Sequence, residues 1–90
     1  MTVRLFARHS VSDYDAWRRG YDDFNAERMT MGVTDHAVYR STSDGNDVTV
    51  THDFDSLESA EAFVGAPRLR EAMDAAGVVG PTQIWLTEPA

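Results

Sequence analysis

The stretch His36-Ala37-Val38-Tyr39-Arg40-Ser41-Thr42-Ser43-Asp44-Gly45-Asn46-Asp47-Val48-Thr49-Val50-Thr51-His52-Asp53-Phe54 sets two β-rich runs, 36–42 and 47–54, around a polar turn at Ser43–Asn46. Turn residues between runs of β-branched and aromatic side chains are a strong hairpin signal. In the second run Val48, Val50, His52 and Phe54 alternate with Thr49, Thr51 and Asp53, so one face is mostly apolar and the other polar. The turn leaves the register of the first run open. A two-residue Asp44-Gly45 turn pairs Ala37 with His52 and sends His36 to the opposite face; a three-residue bulged loop brings His36 inward. The face of Tyr39 depends on the same choice.

Upstream of the hairpin, Tyr14, Trp17, Tyr21 and Phe24 recur near helical period and predict a helix over about 13–31. Ser12 with Asp15 has capping-box spacing, and Gly32 is a suitable terminator. Before it, residues 3–9 read as a strand with Val3, Leu5, Ala7 and His9 on one face and Arg4, Phe6 and Arg8 on the other. Downstream, Asp55 with Glu58 predicts a second capping box opening a helix over Leu57, Ala60, Phe63 and Val64. Gly65-Ala66-Pro67 interrupts that helix. A further piece carries Leu69, Ala72, Met73 and Ala76 and stops at Gly77, and after Pro81 a last strand is expected over about 82–87.

The order is β-α-β-β-α-β, a ferredoxin-like α+β domain over residues 1–90 with a four-stranded antiparallel sheet. Its first and third strands lie side by side at the centre, where they are expected to run parallel to each other. Helices cover one face only. The other face carries Phe6 and, if Ile84 and Leu86 supply the core, Trp85; such a patch calls for a second copy of the chain. A chain of 90 residues buries only about 60–65% of its unfolded surface, and without cysteine it has no disulfide to support a small core.

The net charge of −7, with eight Arg and no Lys against fifteen acidic residues, opposes nucleic acid and anionic membrane surfaces as partners. Met1 leads directly into the strand-like Thr2–Phe6 without an apolar leader, and no apolar run is long enough to span a membrane, so a cytoplasmic location is expected. The chain has no Gly-rich phosphate loop or dinucleotide fingerprint.

The segments Arg8–Trp17, Val38–Ser41, His52-Asp53-Phe54 and Pro67–Met73, followed by Ala76-Gly77-Val78, resemble the antibiotic biosynthesis monooxygenase-like family of the dimeric α+β barrel superfamily. The resemblance covers nearly the whole chain. It implies a homodimer whose two sheets pack as a barrel, with a pocket in each subunit between sheet and helices. The superfamily holds cofactor-free oxygenases, polyketide cyclases, lactone isomerases and haem-degrading enzymes. The last ligate iron through a histidine on the second helical region, and residues 56–76 contain none.

The three histidines, His9, His36 and His52, are expected at one end of the sheet, with His9 and His52 neighbours facing the helices. Imidazole is the one side chain that both accepts and donates a proton near neutral pH without a perturbed pKa. His9 and His52 are therefore the candidate catalytic pair; the alternatives are structural histidines at strand ends or a three-imidazole metal site, although their spacing fits no metal motif. Trp17, Tyr21, Phe24, His36, Tyr39, Phe63 and Met73 are the candidate substrate-binding residues, a cradle for a flat aromatic ligand whose alternative is plain core. Arg28, one turn past Phe24, is expected in a surface ion pair with Asp35 or Glu27, with a place at the pocket rim as the alternative. The expected function is that of a cofactor-independent monooxygenase, needing no metal or other cofactor, acting on a small aromatic or polyketide-like substrate. A cofactor-free cyclase or isomerase, or a non-catalytic dimeric metabolite-binding domain, is the alternative.

Overall fold

A computed structural model describes residues 2–90; Met1, read above as leading into the first strand, lies outside them. The elements are β1 (Val3–Val11), α1 (Tyr14–Asp23), α2 (Asn25–Thr30), β2 (Val33–Arg40), β3 (Asp47–Phe54), α3 (Leu57–Val64), α4 (Pro67–Ala75) and β4 (Val78–Thr87). The four strands form one sheet in the order β2-β3-β1-β4. This is the expected ferredoxin-like α+β fold. The central pair differs from expectation: β1 and β3 run antiparallel, with Val3 opposite Phe54 and His9 opposite Val48. The reason is connectivity. A helical crossover returns β2 in the direction of β1, and the hairpin then reverses the chain, so β3 must oppose β1.

The inner face of the sheet supplies the core. Val3, Leu5 and Ala7 of β1, Val48, Val50 and Phe54 of β3, and Val33 of β2 are buried against Trp17, Tyr21, Phe24, Ala60 and Phe63 from the helices. The first helical region is two helices, because the chain changes course at Phe24, which closes α1 and opens α2. The cap of α1 is Asp13, one residue later than expected, with its carboxylate accepting the Asp15 amide at 3.1 Å. The cap of α3 is likewise displaced, from Asp55 to Ser56, whose Oγ accepts the Ser59 amide. Both caps lie where extended backbone aims a side-chain oxygen at a free helical N–H.

Gly32 follows α2 with φ of 101°, a conformation other residues adopt only with strain. At Gly20 the absent side chain matters instead. A Cβ there would lie 2.9 Å from that of Ala76, so glycine is what lets α1 settle against the end of α4.

Both edge strands begin earlier than expected, and β2 also ends earlier, at Arg40. β2 begins at Val33, with a register shift between Val33 and Asp35 that returns it to regular pairing before His36. β4 begins at Val78, and its pairing with β1 is interrupted between Arg8 and Ser10, opposite Gly80-Pro81. Proline has no N–H for the ladder and is tolerated here because β4 is an edge strand. The outer face bears no helix. It carries the Phe6–Trp85 stack, with ring centroids 5.5 Å apart and planes 6° from parallel, flanked by two-point Arg4–Asp53 and Arg8–Asp47 ion pairs.

The cap assignment separates two adjacent residues. Ser56→Ala is expected to cost about 1 kcal/mol in urea unfolding, while Asp55→Ala changes the midpoint little. Equal losses at the two positions would contradict it.

Candidate functional site

The loop between β2 and β3 decides which imidazoles meet. Ser41 donates its amide to Asp47 O at 2.9 Å, and the five residues between them make an odd-numbered connection. His36 therefore stands opposite His52, Val38 opposite Val50 and Tyr39 opposite Thr49. His36 is inward, in the register of the bulged-loop alternative. Tyr39, on the other parity, lies on the outer face with 58% of its surface exposed and does not reach the pocket.

The expected adjacency of His9 and His52 fails with the direction of β1. His52 is opposite Leu5 whereas His9 is opposite Val48, so the two share a face but sit four positions apart along β1, roughly 13 Å. Two aromatics of α1 bridge the interval. The His9 ring meets Trp17 edge-on at 5.8 Å, Trp17 is 5.0 Å from Tyr21, and Tyr21 is 6.2 Å from His52. His52 also contacts His36 at 6.2 Å and Phe63 at 5.3 Å. Tyr21 Oη and His36 Nδ1 are hydrogen-bonded at 2.8 Å. Among the described residues no three potential ligands converge as a metal site.

Between sheet, α1 and α4 lies a partly enclosed, mainly apolar cavity of about 60 Å³. Trp17, Tyr21, Phe24, Phe63, Met73, His9 and His52 all line it, and His36 stands behind Tyr21 without lining it. Both catalytic candidates are almost fully buried, and neither ring nitrogen of His9 or His52 has a hydrogen-bond partner within the described chain. Four such atoms in one small apolar space is unusual, because a buried polar group left unpaired costs about 1–3 kcal/mol.

Arg28 is found at the cavity, the alternative reading, and not in the expected surface ion pair. It is 2% exposed, lines the cavity, and makes no ion pair with Asp35 or Glu27. Its guanidinium lies 3.8 Å from the centre of the Tyr21 ring, donates Nη2–H to the Tyr21 carbonyl at 2.9 Å and Nη1–H to Asn25 Oδ1 at 3.2 Å. Glu27 is taken instead by Arg68, in a two-point contact at 2.7 Å. The Arg28 amide donates to the Phe24 carbonyl at 2.9 Å, so Arg28 lies one regular turn past buried Phe24 and shares its inward face.

The electrostatics of the two histidines differ. Burial alone pulls His9 below the ordinary imidazole value. His52 is lowered to about 3, by burial first, then by the Arg28 cation and by His36. Burial also lowers His36, again with Arg28 adding to it, and raises the Tyr21 phenol. The site at neutral pH thus holds neutral imidazoles, a neutral phenol and one fixed cation.

No protein-family model matches the chain, and no curated protein matches it by sequence. Solved structures do match the fold. SnoaB, a cofactor-independent oxygenase from Streptomyces nogalater, superposes with a TM-score of 0.81 at 13% identity, over 99% of this chain and 93% of that one. A candidate antibiotic biosynthesis monooxygenase from Bordetella bronchiseptica gives a TM-score of 0.82 at 15% identity, over 99% and 97%. A conserved protein from Methanosarcina mazei gives 0.80 at 14%, over 100% and 94%. No helix among the described residues is long and apolar enough to cross a membrane.

The buried neutral histidines set a pH dependence of stability. Unfolding exposes imidazoles with pKa near 6.5, so below that value the unfolded chain takes up protons that folded His52 and His9 refuse. Stability is complete above about pH 6.5 and falls as pH drops, for His52 at up to about 1.4 kcal/mol per pH unit. The urea midpoint should therefore decline from about pH 7 to 5, before most carboxylates titrate, and His52→Phe should flatten the decline and raise stability at the acid end. A wild-type midpoint constant across that range would contradict neutral burial.

Proposed function

We propose, from the fold shared with the antibiotic biosynthesis monooxygenase-like proteins, that this chain is a cofactor-independent oxygenase of a small phenolic, polyketide-like aromatic substrate. The observation that carries the reading is the pair of buried imidazoles, His9 and His52, with no internal hydrogen-bond partners, facing an apolar cavity lined by Trp17 and Tyr21. Groups left unpaired at such cost are ready for a ligand that pairs them.

His9 is the better proton acceptor of the two, because no neighbouring cation opposes its protonation while Arg28 opposes that of His52. In this reading His9 accepts the phenol proton and His52 orients the ring by a hydrogen bond. The phenolate then passes an electron to O₂, and the radical pair joins at a ring carbon as a peroxide. That carbon loses its hydrogen and the O–O bond breaks, leaving a quinone carbonyl and one water. The sum, a phenol and O₂ giving a quinone and water, draws every electron from the substrate. Apolar walls keep water from the intermediate. The same neutral base would serve a cyclase or isomerase, with no oxygen consumed.

A substrate-sized ring exceeds a cavity of about 60 Å³, which holds only a few waters. Its most displaceable wall is α4, which has no fully buried residue and no side-chain N-cap; it also contributes the pliant Met73.

The companion proposal is a homodimer through the helix-free sheet face, where Trp85 is 46% exposed and stacked on Phe6. Light scattering should give twice the chain mass at micromolar concentration, and Trp85→Arg should shift it toward monomer. A wild-type monomer there would exclude the interface.

Oxygen uptake with a panel of mono- and bicyclic phenols is the test of activity. His9→Ala should lower uptake by roughly 10²- to 10⁴-fold without lowering the melting temperature. Undiminished turnover in that variant would remove His9 as the base, and substrate conversion without oxygen uptake would move the reading to a cyclase or isomerase.

A further inference from the structure

Four of the eight arginines carry the inference: three whose carboxylate partners are in place and one that has none. Arg4, Arg8 and Arg68 each present the Nε edge of the guanidinium to a carboxylate, of Asp53, Asp47 and Glu27 respectively, with Nε and Nη2 each donating one bond. All three side chains are about half exposed. Arg28 is 2% exposed and forms no ion pair among the described residues, and its Nε is buried with no partner. Its two hydrogen bonds, to Tyr21 O and Asn25 Oδ1, go to neutral oxygens. A guanidinium cannot discard its proton, so burial leaves a full positive charge in a cavity wall with no carboxylate in contact; Asp22, paired with Arg18, acts on it only at a distance.

The remaining surroundings fit one kind of guest. Arg28 stacks on the Tyr21 ring, and Tyr21 and Trp17 form a tilted aromatic pair along the same cavity. The chain as a whole is acidic, so an anion gains nothing from its general field and must be held by a local cation. We propose that Arg28 is the anion receptor of this cavity, and that the ligand is an aromatic ring bearing a carboxylate, the carboxylate lying on the Nε edge of Arg28 and the ring against Tyr21 and Trp17.

The assignment rests on reading the cavity as a ligand site, and it narrows the substrate class from phenols in general to phenolic carboxylates. It also gives His52 a second condition. The Arg28 cation is one reason that His52 resists protonation, and a bound carboxylate cancels that contribution. Substrate binding would thereby make His52 more basic only when the site is filled.

Calorimetric binding of salicylate, salicylamide and phenol to the full chain tests this without any turnover. Salicylate should bind roughly 10- to 100-fold more tightly than its neutral amide. Arg28→Met should erase that preference and Arg28→Lys should keep part of it. The imidazole resonances of His52 should titrate at higher pH with salicylate bound. Equal affinity for salicylate and salicylamide in the wild-type chain, or an intact preference in Arg28→Met, would overturn the assignment, as would the absence of binding by all three. If Arg28→Met does not fold, the amide comparison and Arg28→Lys still decide. Salicylate held through Arg28 while no phenol consumes oxygen would keep the receptor and remove the oxygenase. Oxygen uptake with indifference to the carboxylate would do the reverse.

Discussion

The odd number of residues between Ser41 and Asp47 is the constraint on which the site depends. In a hairpin one residue more or less exchanges the two faces of a strand. With five, His36 and Val38 face the helices, and the Tyr21 hydroxyl finds His36 Nδ1 at 2.8 Å. With four or six, Tyr39 would face inward, and Tyr21 would hold a buried hydroxyl without that partner. The loop is fixed from several sides. Asp44 accepts the Asn46 amide through its carboxylate and the Asp47 amide through its carbonyl, and Arg40 donates to the Gly45 carbonyl. Asn46 accepts from Val11 and, through its side chain, from Tyr14. Asn46 thus joins the turn that sets the β2 register to the start of the helix that carries Trp17 and Tyr21.

The two sides of the sheet treat polar groups in opposite ways. On the outer side each cationic side chain of β1 meets a carboxylate of β3, half in water, where such pairs add little stability but leave nothing unsatisfied. On the inner side two imidazoles and a guanidinium retain unpaired nitrogens in apolar surroundings. A chain selected for stability alone would carry apolar residues of similar volume there, which pack as well and lack the desolvation cost. The asymmetry is why the proposed chemistry is assigned to the inner face. It also separates the inner face from the proposed dimer surface, which rests on the Phe6–Trp85 stack and exposed area alone.

Sequence periodicity carried the fold well and the site less well, for identifiable reasons. Alternation in β1 and β3 put Val3, Leu5, His9, Val48 and His52 on the correct face, because period-two patterning survives either strand direction. Direction was lost because it depends on connectivity, and with it went the contact between His9 and His52. The helical stripe through Tyr14, Trp17, Tyr21 and Phe24 was legible, but the break at Phe24 has no proline or glycine to announce it. For Arg28 the one-turn spacing from Phe24 points correctly to the pocket, and the expected surface ion pair is what fails. That pair fails because Glu27 is taken by Arg68 on α4, a competition that only tertiary structure reveals.

The cavity and its walls must be weighed together. Leu5, Ala7 and Val50 make a floor on the two central strands, each bonded on both edges, and this floor cannot yield. Trp17, Tyr21 and Phe24 are buried, and Tyr21 is tied to β2 through His36, so α1 is held as well. Helix α4 is held more lightly: partly buried Leu69 and Ala72, with Ala76 just past its end, rest on the core, and its one side-chain tie across the fold is the half-exposed Arg68–Glu27 pair to α2. A low-stability element opposite a rigid floor is where local opening occurs at least cost. Expansion by movement of α4 would leave His9, His52 and Arg28 in place, because β1, β3 and α2 carry them. The polar groups of the site are thus on the elements that stay; the movable wall contributes mainly methionine, leucine and alanine to the cavity, and the directional contact its movement strains is the half-exposed Arg68–Glu27 pair, which water can replace at little cost.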